Sequence, residues 1–182
     1  MRSLGLSNVE EPKGFERVKP GGYICQITAV KDVPMDQSGK GDYLLIEYDI
    51  ADGEFKGYYK NLYDSKGFWG ASFMKSYKEK ALPFFKAFIT ALRESNNGFI
   101  WHDDGANDEN VLRGKYIGLV LAEEEYKGND GSIKTRLYVD SVRSVNSIKN
   151  GDFEVPALKK MAVTESWGDI PSADDSSTLP WG

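Results

Sequence analysis

The chain is poor in chemically reactive side chains: 182 residues include one cysteine, Cys25, and one histidine, His102. A single cysteine excludes an intramolecular disulfide framework and any multi-cysteine zinc site. A single histidine excludes two-histidine metal motifs. Long apolar runs are missing as well. The longest, Ile117–Ala122, is far too short to span a bilayer. The opening MRSLGLSNVEEP has no apolar core of the signal-peptide kind. The expectation is a protein of the cytoplasm that does not engage membranes. Enzyme signatures are absent too. Gly70-Ala71-Ser72-Phe73 lacks the second glycine of a nucleophile elbow, and no phosphate-cradling glycine loop occurs. His102 has Asp103 beside it, but sequence neighbours seldom form a base–carboxylate pair, so a loop histidine is expected. The acidic clusters Asp103/Asp104/Asp108/Glu109 and Glu123/Glu124/Glu125 match no calcium-loop spacing and read as solvated segments. The sequence therefore predicts no catalytic residue, no metal and no cofactor.

Charge of one sign is concentrated rather than spread. The formal net charge is −5, yet residues 161–182 hold four acids (Glu165, Asp169, Asp174, Asp175) and no base, which leaves −1 on the other 160 residues. That balance rules out a uniformly basic nucleic-acid binder and leaves room for a local basic groove. At 40% hydrophobic and 13% aromatic, the chain can bury a sizeable core.

Periodicity orders the chain. Residues 1–19 have no period and read as an N-terminal arm. Tyr23–Val33, closed by Pro34, reads as a strand. The segment Met35–Asp42 is a polar loop. Tyr43–Ile50 alternates, with Leu44, Ile46, Tyr48 and Ile50 on one face, and predicts a half-buried strand. Asp52-Gly53 reads as a hairpin turn into a third strand near Tyr58–Tyr63. Phe85, Phe88, Ile89 and Leu92 recur at helical spacing, with Pro83 at the start and Gly98 past the end. Leu112–Glu125 and Ser132–Val145 predict a final hairpin, with Ile133, Thr135, Leu137 and Val139 on one face and Lys134, Arg136 and Tyr138 on the other. Five strands with one helix between the third and fourth is the connectivity of an OB-fold barrel. A split α+β sheet would give the same string. The expected organisation is an arm at 1–19, an OB-fold domain at 20–160, and a flexible acidic tail at 161–182.

Lys56–Lys86 is the unusual stretch: seven lysines against Asp64 and Glu79, interleaved with nine tyrosine, phenylalanine and tryptophan residues. Lysines that track phosphates and aromatic faces that receive unstacked bases are what a single strand requires, at ~1–3 kcal/mol per stacked base. Core packing is the competing explanation for each ring, and it is preferred for Phe84, Phe85, Phe88 and Tyr48. Trp69, Phe73 and Tyr77, four apart, fit the stripe of a short helix equally well. The nucleic-acid candidates are Tyr43, Tyr58, Lys60, Tyr63 and Trp69, joined by Lys134, Arg136 and Tyr138 from the last strand. Tyr126 and Lys127 sit in a loop placed to close over a strand. At the far end, Asp174 and Asp175 precede Leu179-Pro180-Trp181, a flexible acidic stretch with an apolar tip suited to docking in a partner's basic-rimmed pocket.

The segments VKPGGYICQITAV, Tyr43–Lys60 and LRGKYIGLVLAEEEYKGNDG followed by IKTRLYVDSV resemble the single-stranded DNA-binding proteins of phage and prophage replication or recombination modules. The resemblance covers roughly Val18–Lys159. It implies an OB-fold that coats single-stranded DNA with little sequence preference. It also implies recruitment of replication or recombination proteins by the tail, and a place in the host cytoplasm. Bacterial proteins of this kind end in an acidic tip closing on Pro-Phe. Here Trp181 takes the phenylalanine position and Gly182 carries the carboxylate one residue further. RNA binding and self-assembly stay open. Two other classes remain: a protein-interaction adaptor with an OB-like barrel, and, less favoured, a magnesium-dependent nuclease.

Overall fold

The computed structural model describes residues 16–38 and 41–161. Most of the arm (1–15) and the acidic tail, including Asp174, Asp175, Leu179, Pro180 and Trp181, lie outside them. The elements run β1 (Gly21–Val33), α1 (Met35–Ser38), β2 (Tyr43–Ile50), α2 (Tyr58–Lys66), β3 (Ser72–Ser76), α3 (Leu82–Ser95), β4 (Tyr116–Lys127), β5 (Ile133–Arg143) and α4 (Val145–Asn150). The five strands form one antiparallel sheet in the order β3-β2-β1-β4-β5. The fold is therefore mainly β, with a helix following the third strand.

β1 organises this sheet because its two halves serve different neighbours. Gly21–Gln26 pairs with β4, Cys25–Val33 pairs with β2, and the register with β2 shifts between Ile27 and Ala29. A bulge of this kind bends a strand and increases its twist. The expected alternation of β2 is present: Leu44, Ile46, Tyr48 and Ile50 are buried and the residues between them are not. These side chains meet Cys25 and Ile27 of β1, Ile117, Leu119 and Leu121 of β4, and Phe88, Ile89 and Leu92 of α3 in one core. Each large apolar side chain buried there contributes ~1.5–3 kcal/mol. Pro83 lies in the first turn of α3. Asn96 ties the end of that helix to β4, donating to Leu92 and Tyr116 carbonyls and accepting from the Tyr116 N–H.

Several expectations change. The third strand is not at Tyr58–Tyr63, which is helical, but at Ser72–Ser76. Asp52-Gly53 turns the chain into that helix, not into a hairpin. The reason is local. Gly57 adopts a left-handed φ of 72°, and the Asp49 carboxylate accepts the backbone N–H groups of Tyr59 and Lys60 at 3.0 and 3.2 Å. Those are donors that a helix start leaves unsatisfied. Trp69, Phe73 and Tyr77 form no helical stripe, since Phe73 belongs to β3 and the other two flank it. Phe84 is 69% exposed rather than core. Met35–Ser38 is a turn of helix inside the expected loop, and α4 follows β5 unanticipated, capped by the Ser144 hydroxyl.

The expected barrel is left unclosed: β3 and β5 are the two edges of the sheet and are not paired with each other. Beyond α4 the chain crosses back over the outer face. Phe153 lies where a Cβ on Gly22 would sit, and Lys159 exchanges backbone hydrogen bonds with Glu123 and Glu125 of β4. Among the described residues no helix is long and apolar enough to cross a membrane.

Candidate nucleic-acid interface

The opening between the two edges is a cleft of about 670 Å³. One wall is α2, which contributes Tyr58, Tyr59, Leu62 and Lys66. These residues share one helical face, spaced three and four apart. The opposite wall is β5, with Thr135, Arg136, Leu137 and Tyr138, joined by Tyr126 of β4. Tyr48 of β2 lies between the walls, and Arg17, Val18, Phe68, Gly70 and Ser72 complete the lining. The lining thus combines three cations, Arg17, Lys66 and Arg136, with five tyrosines and a phenylalanine, and includes no carboxylate.

The inner rings are rigidly held. Tyr48 and Tyr59 pack edge-on with centroids 5.6 Å apart, and Tyr59 packs on Tyr58 at 5.2 Å. The run of ring contacts continues through Phe55 to Tyr23 on one side, and through Phe73, Phe88 and Phe85 to Trp101 and Tyr77 on the other. Burial pushes the Tyr48 and Tyr59 hydroxyls well above the usual phenol range. Both stay neutral under ordinary conditions. Much of the aromatic content of Lys56–Lys86 is therefore structural, and the rings left for a ligand are those at the cleft mouth. Phe68 is 53% exposed and Tyr63 51% exposed.

The expected residues are only partly brought together. Tyr58, Arg136 and Tyr138 line the cleft. Tyr63 stands just outside it, its ring 6.1 Å from that of Trp69. Trp69 is half-buried against the core and its indole N–H donates to the Ala71 carbonyl at 3.0 Å. Tyr43 begins β2 opposite Val33 and Ser76, on the face turned away from Leu44 and Ile46, and does not reach the cleft. Lys60 and Lys134 point to solvent and are ion-paired with Asp64 at 2.8 Å and Asp130 at 2.9 Å. Of the face of β5 expected to turn inward, Leu137 and Val139 pack on the core, whereas Ile133 is 65% exposed.

The lining also includes Arg17, Tyr59, Lys66 and Phe68, which are outside the expected set. The signal for Lys66 was present in the sequence. Tyr58, Leu62 and Lys66 recur every four residues, but a strand expected at Tyr58–Tyr63 ends before Lys66 and hides the helical repeat. Arg17 carried no signal, because it reaches the cleft from the arm only by tertiary folding, donating to the Thr135 carbonyl at 3.3 Å. Elsewhere, Cys25 is fully buried, which raises its thiol far above its ordinary value. His102 is exposed in a loop. Among the described residues no group of three or more histidine, cysteine or acidic side chains is placed to hold a metal ion. Compared with known proteins, the chain matches no family model and no curated protein.

Proposed function

We propose that this chain is a non-catalytic single-stranded DNA-binding protein, of the phage or prophage replication and recombination class that its sequence resembles. In this reading the sheet is an opened OB-fold, an architecture described as a partly open five-stranded barrel that binds oligonucleotides on its strand face and loops. The single observation that carries the reading is the cleft itself. A groove with cations on both walls, tyrosines throughout and no lining carboxylate matches the chemistry of a single strand. Lys66, Arg17 and Arg136 take phosphates, while Tyr58, Tyr138 and Phe68 offer faces or edges to unstacked bases. The open seam between β3 and β5 provides a path for an extended chain. The acidic tail, which carries Leu179-Pro180-Trp181, serves partner recruitment in the same reading.

The test is an anisotropy titration of labelled oligo-dT at low and high salt. Micromolar or tighter binding that weakens steeply with salt is expected. No binding at micromolar protein and low salt would refute the proposal. That outcome, with tail-dependent capture of a replication protein, would establish the adaptor reading. The adaptor reading has one specific observation in its favour: Lys60, Lys134 and Arg136 already have acid partners of their own.

A further inference from the structure

Arg136 differs from the other two cations of the cleft. Its Nε donates to Oε1 of Glu124 at 2.8 Å, its Nη2 stands 2.8 Å from the same oxygen, and its guanidinium lies over the Tyr126 ring, 5.3 Å from the centroid. Glu124 is directly opposite it across the β4–β5 ladder. Arg17 and Lys66 have no carboxylate partner among the described residues. We infer that Glu124 is an internal phosphate substitute, which occupies the Arg136 fork in the free protein and must yield it to an incoming strand.

The inference rests on the single-strand reading above and adds a regulator of its affinity. A carboxylate and a phosphate are recognised by the same edge of a guanidinium, so they compete for it. The Arg136 side chain is 61% exposed, so a backbone phosphate can reach the fork. Glu124 is not stranded by the exchange. Lys159 of the returning C-terminal segment already stands 4.0 Å from its other oxygen, Oε2, and takes over the released carboxylate. Tyr126 keeps the guanidinium plane in place while the anion is exchanged, which makes the substitution a change of partner and not a collapse of the wall.

The test compares wild type, Glu124→Gln, Arg136→Gln and the double variant by anisotropy with labelled oligo-dT at low salt, after thermal melts show each variant folded. Removing this competitor is expected to tighten binding about two- to fivefold in Glu124→Gln. In the Arg136→Gln background that gain is expected to vanish. Independently, the Arg136 Nε–H resonance of the wild-type protein is expected to move as the strand is added. Glu124→Gln binding no tighter than wild type, a gain that survives loss of Arg136, or an Nε–H resonance unmoved at saturation would each overturn the inference while leaving the single-strand reading intact. Failure of wild type and every variant to bind would overturn both. Should Glu124→Gln not fold, the wild-type resonance decides alone.

Discussion

Lys75 lies on the inner side of β3, its ammonium 5.6 Å from the Phe73 centroid and 5.7 Å from that of Phe88. It has no ion-pair partner among the described residues, and burial lowers its pKa from 10.5. A half-buried charge without a counter-charge is a cost of the folded state that ring faces offset only in part. Lys75→Met is therefore expected to raise stability by about 1 kcal/mol at neutral pH. The sign with pH follows from the direction of the shift. The folded state releases this proton at lower pH than the unfolded chain does, so the cost is present at neutral pH and fades as pH rises toward 10.5. Urea melts of both proteins should show the difference between them shrinking over that range. The Tyr48 and Tyr59 hydroxyls act in the opposite sense. Their raised values stabilise the fold below their ordinary value of 10.0, and that contribution is lost as alkali ionises the unfolded chain.

At the scale of elements, α2 decides whether the cleft has a second wall. The helix is only nine residues long, too short to persist by propensity alone. Packing of Tyr59 and Leu62 and the anchoring of its first turn by Asp49 hold it in place. Asp49→Ala removes an acceptor for two otherwise unsatisfied N–H groups and a negative charge at the positive end of the helix. The expected loss is about 1 kcal/mol, read from urea melts. The same variant should weaken oligo-dT binding although Asp49 does not line the cleft. Undiminished binding would mean that the α2 face is not part of the interface.

For the molecule as a whole, the disposition of charge matters more than its sum. Exposed ion pairs such as Lys60–Asp64 and Lys134–Asp130 add little to stability, and their lysines already have a carboxylate partner in place of a phosphate. The cations without acid partners that line the cleft, Arg17 and Lys66, should dominate the salt response. Replacing both by Gln is expected to make the plot of log affinity against log salt shallower by about 1.4, at ~0.7 for each phosphate of a single strand that is no longer neutralised. Lys60→Gln with Lys134→Gln should leave that slope unchanged within error. Titrations at four or more salt concentrations distinguish the two pairs.

Local pattern by itself determined the alternating face of β2, the helix with Pro83 in its first turn, the last hairpin and the buried state of Tyr48. In each case the apolar period matches one element type and no other. It also marked Lys56–Lys86 as chemically unusual. Tertiary structure alone decided how that stretch is used. Tyr58–Lys66 has a strand's aromatic content, and it becomes a helix because Asp49, on a neighbouring strand, satisfies its first turn. Its lysines then divide between the cleft and open solvent. Arg17 enters from the arm, and Glu124 faces Arg136 because the β4–β5 register places them opposite each other. Cross-strand register and helix anchoring join residues far apart in sequence, so no period along the chain encodes them. They determine which charges are free to meet a ligand.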